Sequence, residues 1–156
     1  MRGLLAALGR VCLSLIFLLA GINKLMDWQG SLQVVAGALN QWMQSYQGIG
    51  GMQQLIQMAL PWTSTMLIIA CMLELFGGFL LLFGIKVRWG AFFLILFLIP
   101  TTLIMHHFWL LQSPQRELEM GMFLKNLSIF GGLLTVLAFG TGSEKKNKVH
   151  GTAAGP

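Results

Sequence analysis

Apolar residues in this chain fall into four long runs, separated by short polar links and one long connection of mixed character. Residues 4–25 form the first run, interrupted by Arg10 and ending Gly21-Ile22-Asn23-Lys24-Leu25. Residues 61–83 form the second, with Glu74 its single charge. Residues 89–111 form the third, which holds His106 and His107 but no Asp, Glu, Lys or Arg. The fourth is less clean: residues 127–139 are too few to span, but residues 120–139 suffice if the Lys125 amine extends to the headgroups. A membrane-crossing helix needs ~20 apolar residues, so each run predicts one span. The expected fold is all-α: a polytopic membrane protein built as a four-transmembrane-helix bundle.

Residues 26–60 are the long connection, rich in Gln and Gly among Met, Trp, Tyr and Leu, with Asp27 its one charge. Leu32, Val35, Leu39, Trp42 or Met43, and Tyr46 recur at helical spacing. This predicts an amphipathic helix in the first outer loop, lying on the leaflet or capping the bundle, as static packing or as a lid. Gly48-Ile49-Gly50-Gly51 then breaks the pattern as a hinge. Residues 140–156 are polar and basic and predict a disordered cytoplasmic tail. A cleaved signal peptide is the alternative for the first run. That run exceeds the 7–15 apolar residues of such a peptide, Arg10 interrupts it, and Leu18-Leu19-Ala20 lacks a small residue at −3. It reads as a retained span.

Composition sharpens the picture. The chain is 56% apolar and 10% charged, with a formal net charge of +5, against ~45–50% and ~25% for a soluble domain. Its mean hydropathy is +0.74. So few charges exclude a soluble enzyme, a nucleic-acid binder and a disordered chain; the partner is the lipid bilayer. The basic excess then reports topology. Arg2, Lys86, Arg88, Lys145, Lys146 and Lys148 fall on one side of an even-numbered bundle, and Asp27, Arg116, Glu117 and Glu119 on the other. Positive charge collects on the cytoplasmic side, so both termini are expected there. Cys12 and Cys71 sit in apolar runs without a CxxC, and read as small packing residues rather than a disulfide or zinc site.

Candidate chemistry lies in the polar residues within spans, which are costly there. At 1.5 Å per helical residue, Arg10 lies about 9 Å and Glu74 about 15 Å from the cytoplasmic end. The gap of about 6 Å is within an arginine's reach, which predicts a buried Arg10–Glu74 ion pair or proton relay. A second group gathers near the outer end: Asn23 and Lys24 closing span one, His106 in span three, Lys125 and Asn126 opening span four. His106 shares a helical face with Thr102 and Trp109, and Trp28, Trp62 and Trp109 lie at the same level. His106, Lys125, Asn126, Lys24, Asn23 and Trp109 are therefore candidates for a polar-headed ligand. Snorkelling anchors and an ordinary aromatic belt are the plainer reading. Gly77-Gly78 and Gly131-Gly132 suit close helix packing. No nucleotide loop, HExxH, GxSxG or nucleophile–base pair occurs, and the histidines lack metal-ligand spacing.

The combination resembles the DoxX family of small bacterial membrane proteins. The resemblance is carried by Leu19-Ala20-Gly21-Ile22-Asn23-Lys24-Leu25 and by Glu74 in Glu-Leu-Phe-Gly-Gly-Phe-Leu-Leu-Leu-Phe-Gly. It continues through His106-His107-Phe108-Trp109, Phe123-Leu124-Lys125-Asn126-Leu127 and Gly131-Gly132. His106 is the residue that fits the family's His-x-Phe-Trp form. The resemblance implies a four-helix bundle in the bacterial inner membrane and an association with redox chemistry, since the family name derives from a thiosulfate:quinone oxidoreductase subunit.

Two functions follow as expectations. In one, the chain is a non-autonomous subunit of a quinone-linked redox system. His106 and Lys125 bond the quinone oxygens, Trp109 stacks on the ring, Glu74 helps move protons, and a protein partner carries the electrons. In the other it is a non-catalytic membrane organiser or small-molecule handling protein. Four spans lack the paired repeats of a transporter, which a homo-oligomer would supply.

Overall fold

The computed structural model describes residues 2–140, which are helical with no strand among them. Six α-helices follow in order: α1 (Arg2–Met26), α2 (Trp28–Ser45), α3 (Gly50–Ala59), α4 (Thr63–Phe83), α5 (Val87–Met105) and α6 (Gln115–Phe139). Short 3-10 turns cover Leu60–Trp62 and Phe108–Leu110. Four segments are long and apolar enough to cross a membrane: Gly3–Met26, Gly50–Phe83, Val87–Leu110 and Gln115–Phe139. In hydrocarbon each backbone N–H and C=O must be paired within the segment, which is why such runs become helices. The chain is an all-α polytopic bundle.

Neighbouring spans are antiparallel. α1 packs on α4, α4 on α5 and α5 on α6, while α6 approaches α1 where Leu13 faces Gly132. The core gathers Phe17, Leu81, Val87, Ala91, Leu94, Phe97, Leu98 and Leu133. α4 and α5 approach closely at Gly77 and Gly90. A Cβ on Gly77 would stand 3.0 Å from the Gly90 carbonyl oxygen and 2.8 Å from Leu94 Cγ. Gly131 differs from the sequence expectation: a Cβ there meets nothing within 4 Å, so it is not a packing device.

One end of the bundle holds the α4–α5 link, where Gly84 and Lys86 both take left-handed backbone angles (φ 69° and 43°). Arg88 Nη2 donates there to the Ala138 carbonyl at 2.9 Å, tying the start of α5 to the end of α6. We call this the terminal end, and the opposite one, which carries α2 and the α5–α6 link, the loop end. The predicted tail, with Lys145, Lys146 and Lys148, lies outside the described residues apart from Gly140.

The long connection carries the expected amphipathic helix as α2. Ala38 and Leu39 are buried in it, and Leu32, Val35, Trp42, Met43 and Tyr46 are half-buried on the same stripe. The Asp27 carboxylate caps α2 by accepting from the Gly30 N–H at 3.0 Å. The chain breaks at Gly48 (φ 95°) as expected. It then departs from expectation, because helix resumes at Gly50 and runs to Phe83 with only the Leu60–Trp62 turn between. That 34-residue rod is about 51 Å long, well beyond a ~30 Å hydrocarbon layer.

The third span also departs from expectation: α5 stops at Met105 rather than continuing past His106. The Ile104 carbonyl, which would accept from Phe108 in a continued helix, instead accepts from Trp42 Nε1 at 3.0 Å. α6 begins at Gln115, ahead of the expected start at 120, so Arg116, Glu117 and Glu119 belong to it.

Candidate functional site

A cavity of about 880 Å³ lies between the end of α1, the start of α2, and the loop-side halves of α4 and α5. Its walls are largely apolar, including Val34 and Val35 of α2, Leu67 and Ala70 of α4, and Phe97 and Pro100 of α5. Polar groups enter from Asn23, Lys24, Asp27, Ser31 and Thr101. Pro100 lacks an N–H and leaves the Leu96 carbonyl, on the same wall, without its helical donor. An apolar chamber with a few convergent polar groups is the form of a small-molecule site, and such sites span ~300–1,000 Å³.

Lys24 is the cavity's cation. Its Nζ donates to Glu74 Oε2 at 2.7 Å and lies 5.4 Å from the centre of the Phe97 ring. Glu74 is 2% exposed and Lys24 25%, so the carboxylate backs the wall while the amine faces the chamber. The expected Arg10–Glu74 pair is corrected: Glu74 is held by Lys24. Helix register decides this. Gly21 lies beside Leu75 and Glu74, Gly78 beside Leu18, and Gly84 beside the Arg10 guanidinium. Arg10 is thus level with a residue ten positions beyond Glu74, about 15 Å along the axis and out of reach. Side-chain lean adds to register. Helical Cβ atoms tilt toward the N-terminus, so on antiparallel α1 and α4 the Lys24 and Glu74 side chains lean toward each other. Arg10 leans away, toward the terminal end.

The six residues expected to share a ligand site are spread over separate places. Asn23 and Lys24 line the cavity. His106 does not; its Nδ1 donates to Glu119 Oε2 at 2.7 Å, joining the end of α5 to α6. His107, which is not among those six, is the buried one at 1% exposure. Its Nδ1 lies 3.1 Å from Trp42 Nε1 and 3.0 Å from the Ile104 carbonyl. Both outcomes follow from α5 ending at Met105, before the pair, so the helical face expected to join His106 with Thr102 and Trp109 does not reach it. Trp109 is half-exposed and packs edge-on to Trp42, Phe108 and Phe123 rather than on the cavity. Asn126 Nδ2 donates to Thr102 Oγ1 at 3.0 Å, a bond between α5 and α6. Lys125 is exposed on α6, with its amine 3.3 Å from Met122 Sδ.

Phe97, Ser31 and Thr101 were not singled out from sequence, though Pro100-Thr101-Thr102 is a polar break in an otherwise apolar run. Trp42 was visible as part of a stripe, but nothing local marked its reach to Ile104.

Comparison with known proteins agrees with this architecture. The chain is 26% identical over 142 residues to inner membrane protein YphA of Escherichia coli (strain K12), covering 91% of this chain and 87% of that one. No solved structure matches it significantly. The DoxX family profile matches residues 5–107, from α1 through the His106-His107 turn, and the chain belongs to the DoxX family.

Proposed function

We propose that the chain is the quinone-holding, non-autonomous subunit of a redox system in the bacterial inner membrane, with both termini cytoplasmic. The observation that carries this reading is the cavity: a half-open, largely apolar cleft of about 880 Å³ with Lys24 on its wall. A quinone is an apolar body carrying hydrogen-bond-accepting oxygens, and the chamber matches it in size and polarity. Lys24 and the Asn23 amide supply donors for a ring oxygen, and the apolar wall from Leu67 to Pro100 takes the ring. This moves the head-group contacts from the expected His106, Lys125 and Trp109 to Asn23 and Lys24. The Lys24–Glu74 contact gives a proton a short path between amine and carboxylate, and intramembrane carboxylates serve in such relays. Electrons enter from a protein partner. The inner-membrane location rests on the likeness to YphA, and the cytoplasmic termini on the cations of the terminal end.

The test is extraction of the protein from native-lipid nanodiscs, with quinone counted by mass spectrometry. About one quinone per chain is expected, falling at least tenfold in Lys24→Met and in Thr101→Leu, which crowds the chamber without touching the ion pair. Quinone at no more than its bulk-lipid ratio would overturn the reading and favour the organiser.

A further inference from the structure

Cations collect at the terminal end of the bundle, and the carboxylates among the described residues, Asp27, Glu74, Glu117 and Glu119, lie away from it, at the middle or the loop end; Glu144 lies outside the described residues. Arg88 has an acceptor there in the Ala138 carbonyl. Arg10 has none among the described residues. Its Nε is sealed from solvent and makes no hydrogen bond. Its Nη2 lies beside Gly84, 3.5 Å from where a Cβ would stand, so the glycine lets the guanidinium come close to the end of α4. The carbonyls of Leu80 and Leu81 at this helix end accept from the amides of Gly84 and Ile85, and neither accepts from Arg10. A sealed Nε without an acceptor is costly on a charged group, and the planar guanidinium fork matches two oxygens of one phosphate. Gly84 ends the α4 span. Arg10 therefore stands at the boundary between hydrocarbon and headgroups, where lipid phosphates lie.

We propose that Arg10, with Lys86 and Arg88, forms a site for the phosphate of an anionic phospholipid, seated over Gly84 between α1 and the α4–α5 link. The guanidinium holds the phosphate through its fork, and Lys86 and Arg88 add charge from the link. The site is independent of the cavity: fourteen residues of α1, about 21 Å, separate Arg10 from Lys24.

The test uses the full chain in neutral detergent. Its melting temperature is followed against added phosphatidylglycerol, phosphatidylcholine or inorganic phosphate, with bound lipid counted by native mass spectrometry. Phosphatidylglycerol is expected to raise the melting temperature by several degrees where phosphatidylcholine does not, with one molecule retained per chain. Arg10→Gln should lower that retention at least fivefold, and Lys125→Gln, at the opposite end, should leave it unchanged. Arg10→Lys keeps the charge but lacks the fork, and should fold like the parent while losing most of the preference. Equal effects of the two lipids, or full preference in Arg10→Lys, would overturn the site. An effect of inorganic phosphate equal to that of phosphatidylglycerol would overturn its assignment to a lipid.

Discussion

α4 and α6 begin from similar material. Each crosses the bundle, and each carries a glycine pair and one charge deep in an apolar run. Yet α4 buries Thr63, Leu67, Cys71, Glu74, Gly77, Gly78 and Leu81 between two neighbours, while α6 buries only Leu133. On α4 the polar and small residues point inward, to Lys24 and Gly90. On α6 Lys125, Ser128, Gly131 and Thr135 point outward, while Glu119, Asn126 and Gly132 turn to the bundle. In water the apolar stripe would tell the two apart. In a bilayer the solvent is as apolar as the core, so association rests on shape and a few polar contacts. A polar residue in a span therefore marks a constraint without saying which neighbour imposes it.

That contrast can be broken most sharply at its charges. Glu74→Leu leaves the Lys24 amine half-buried without its partner and should cost about 3–5 kcal/mol, read as the loss of unfolding free energy in mixed micelles. The Lys24→Met, Glu74→Leu double variant should recover most of it, because an apolar pair replaces the ionic one. If the double variant is as unstable as the single, the ion pair is not what the site depends on.

Shape comes next. Gly77→Val forces methyls into the Gly90 carbonyl and Leu94 and should cost about 1–3 kcal/mol. Gly131→Val faces open space and should be tolerated, so equal losses in the two variants would erase the distinction between α4 and α6. The tie between Asn126 and Thr102, midway along α6, is smaller still. Asn126→Leu removes the bond to Thr102 and should cost about 0.6 kcal/mol, the usual worth of such a bond between membrane helices. Last, Lys125→Leu should leave stability unchanged within about 0.5 kcal/mol by the same unfolding measurement. A large loss there would mean that the outer face of α6 is covered.

Much of the fold was legible in the chain. The four runs became four spans, the stripe from Leu32 to Tyr46 became α2, and Glu74 and the Gly77-Gly78 pair proved interior. Each of these rests on local pattern. The misreadings share one physical origin: a depth counted along one helix does not fix how two helices slide past each other. Counting from span ends puts Arg10 within reach of Glu74, but the seating of Gly21 on Leu75 and of Gly78 on Leu18 sets a register that gives Glu74 to Lys24. His106 and His107 exchanged roles because Trp42, sixty-two residues before Ile104, takes the carbonyl that would have continued α5.

By itself the sequence determined that this protein lives in a membrane, crosses it four times as helices, and covers one end with an amphipathic segment. Those outcomes depend on pairing the backbone inside each segment, and every run of apolar residues settles that locally. Only the tertiary structure decided which polar groups meet. Asn23 and Lys24 reached the cavity, while His106, Trp109, Lys125 and Asn126 went to four other environments. Helix contacts in lipid gain little from apolar burial. They follow instead from glycine-sized fits and single hydrogen bonds between residues far apart in the chain, which no local pattern records.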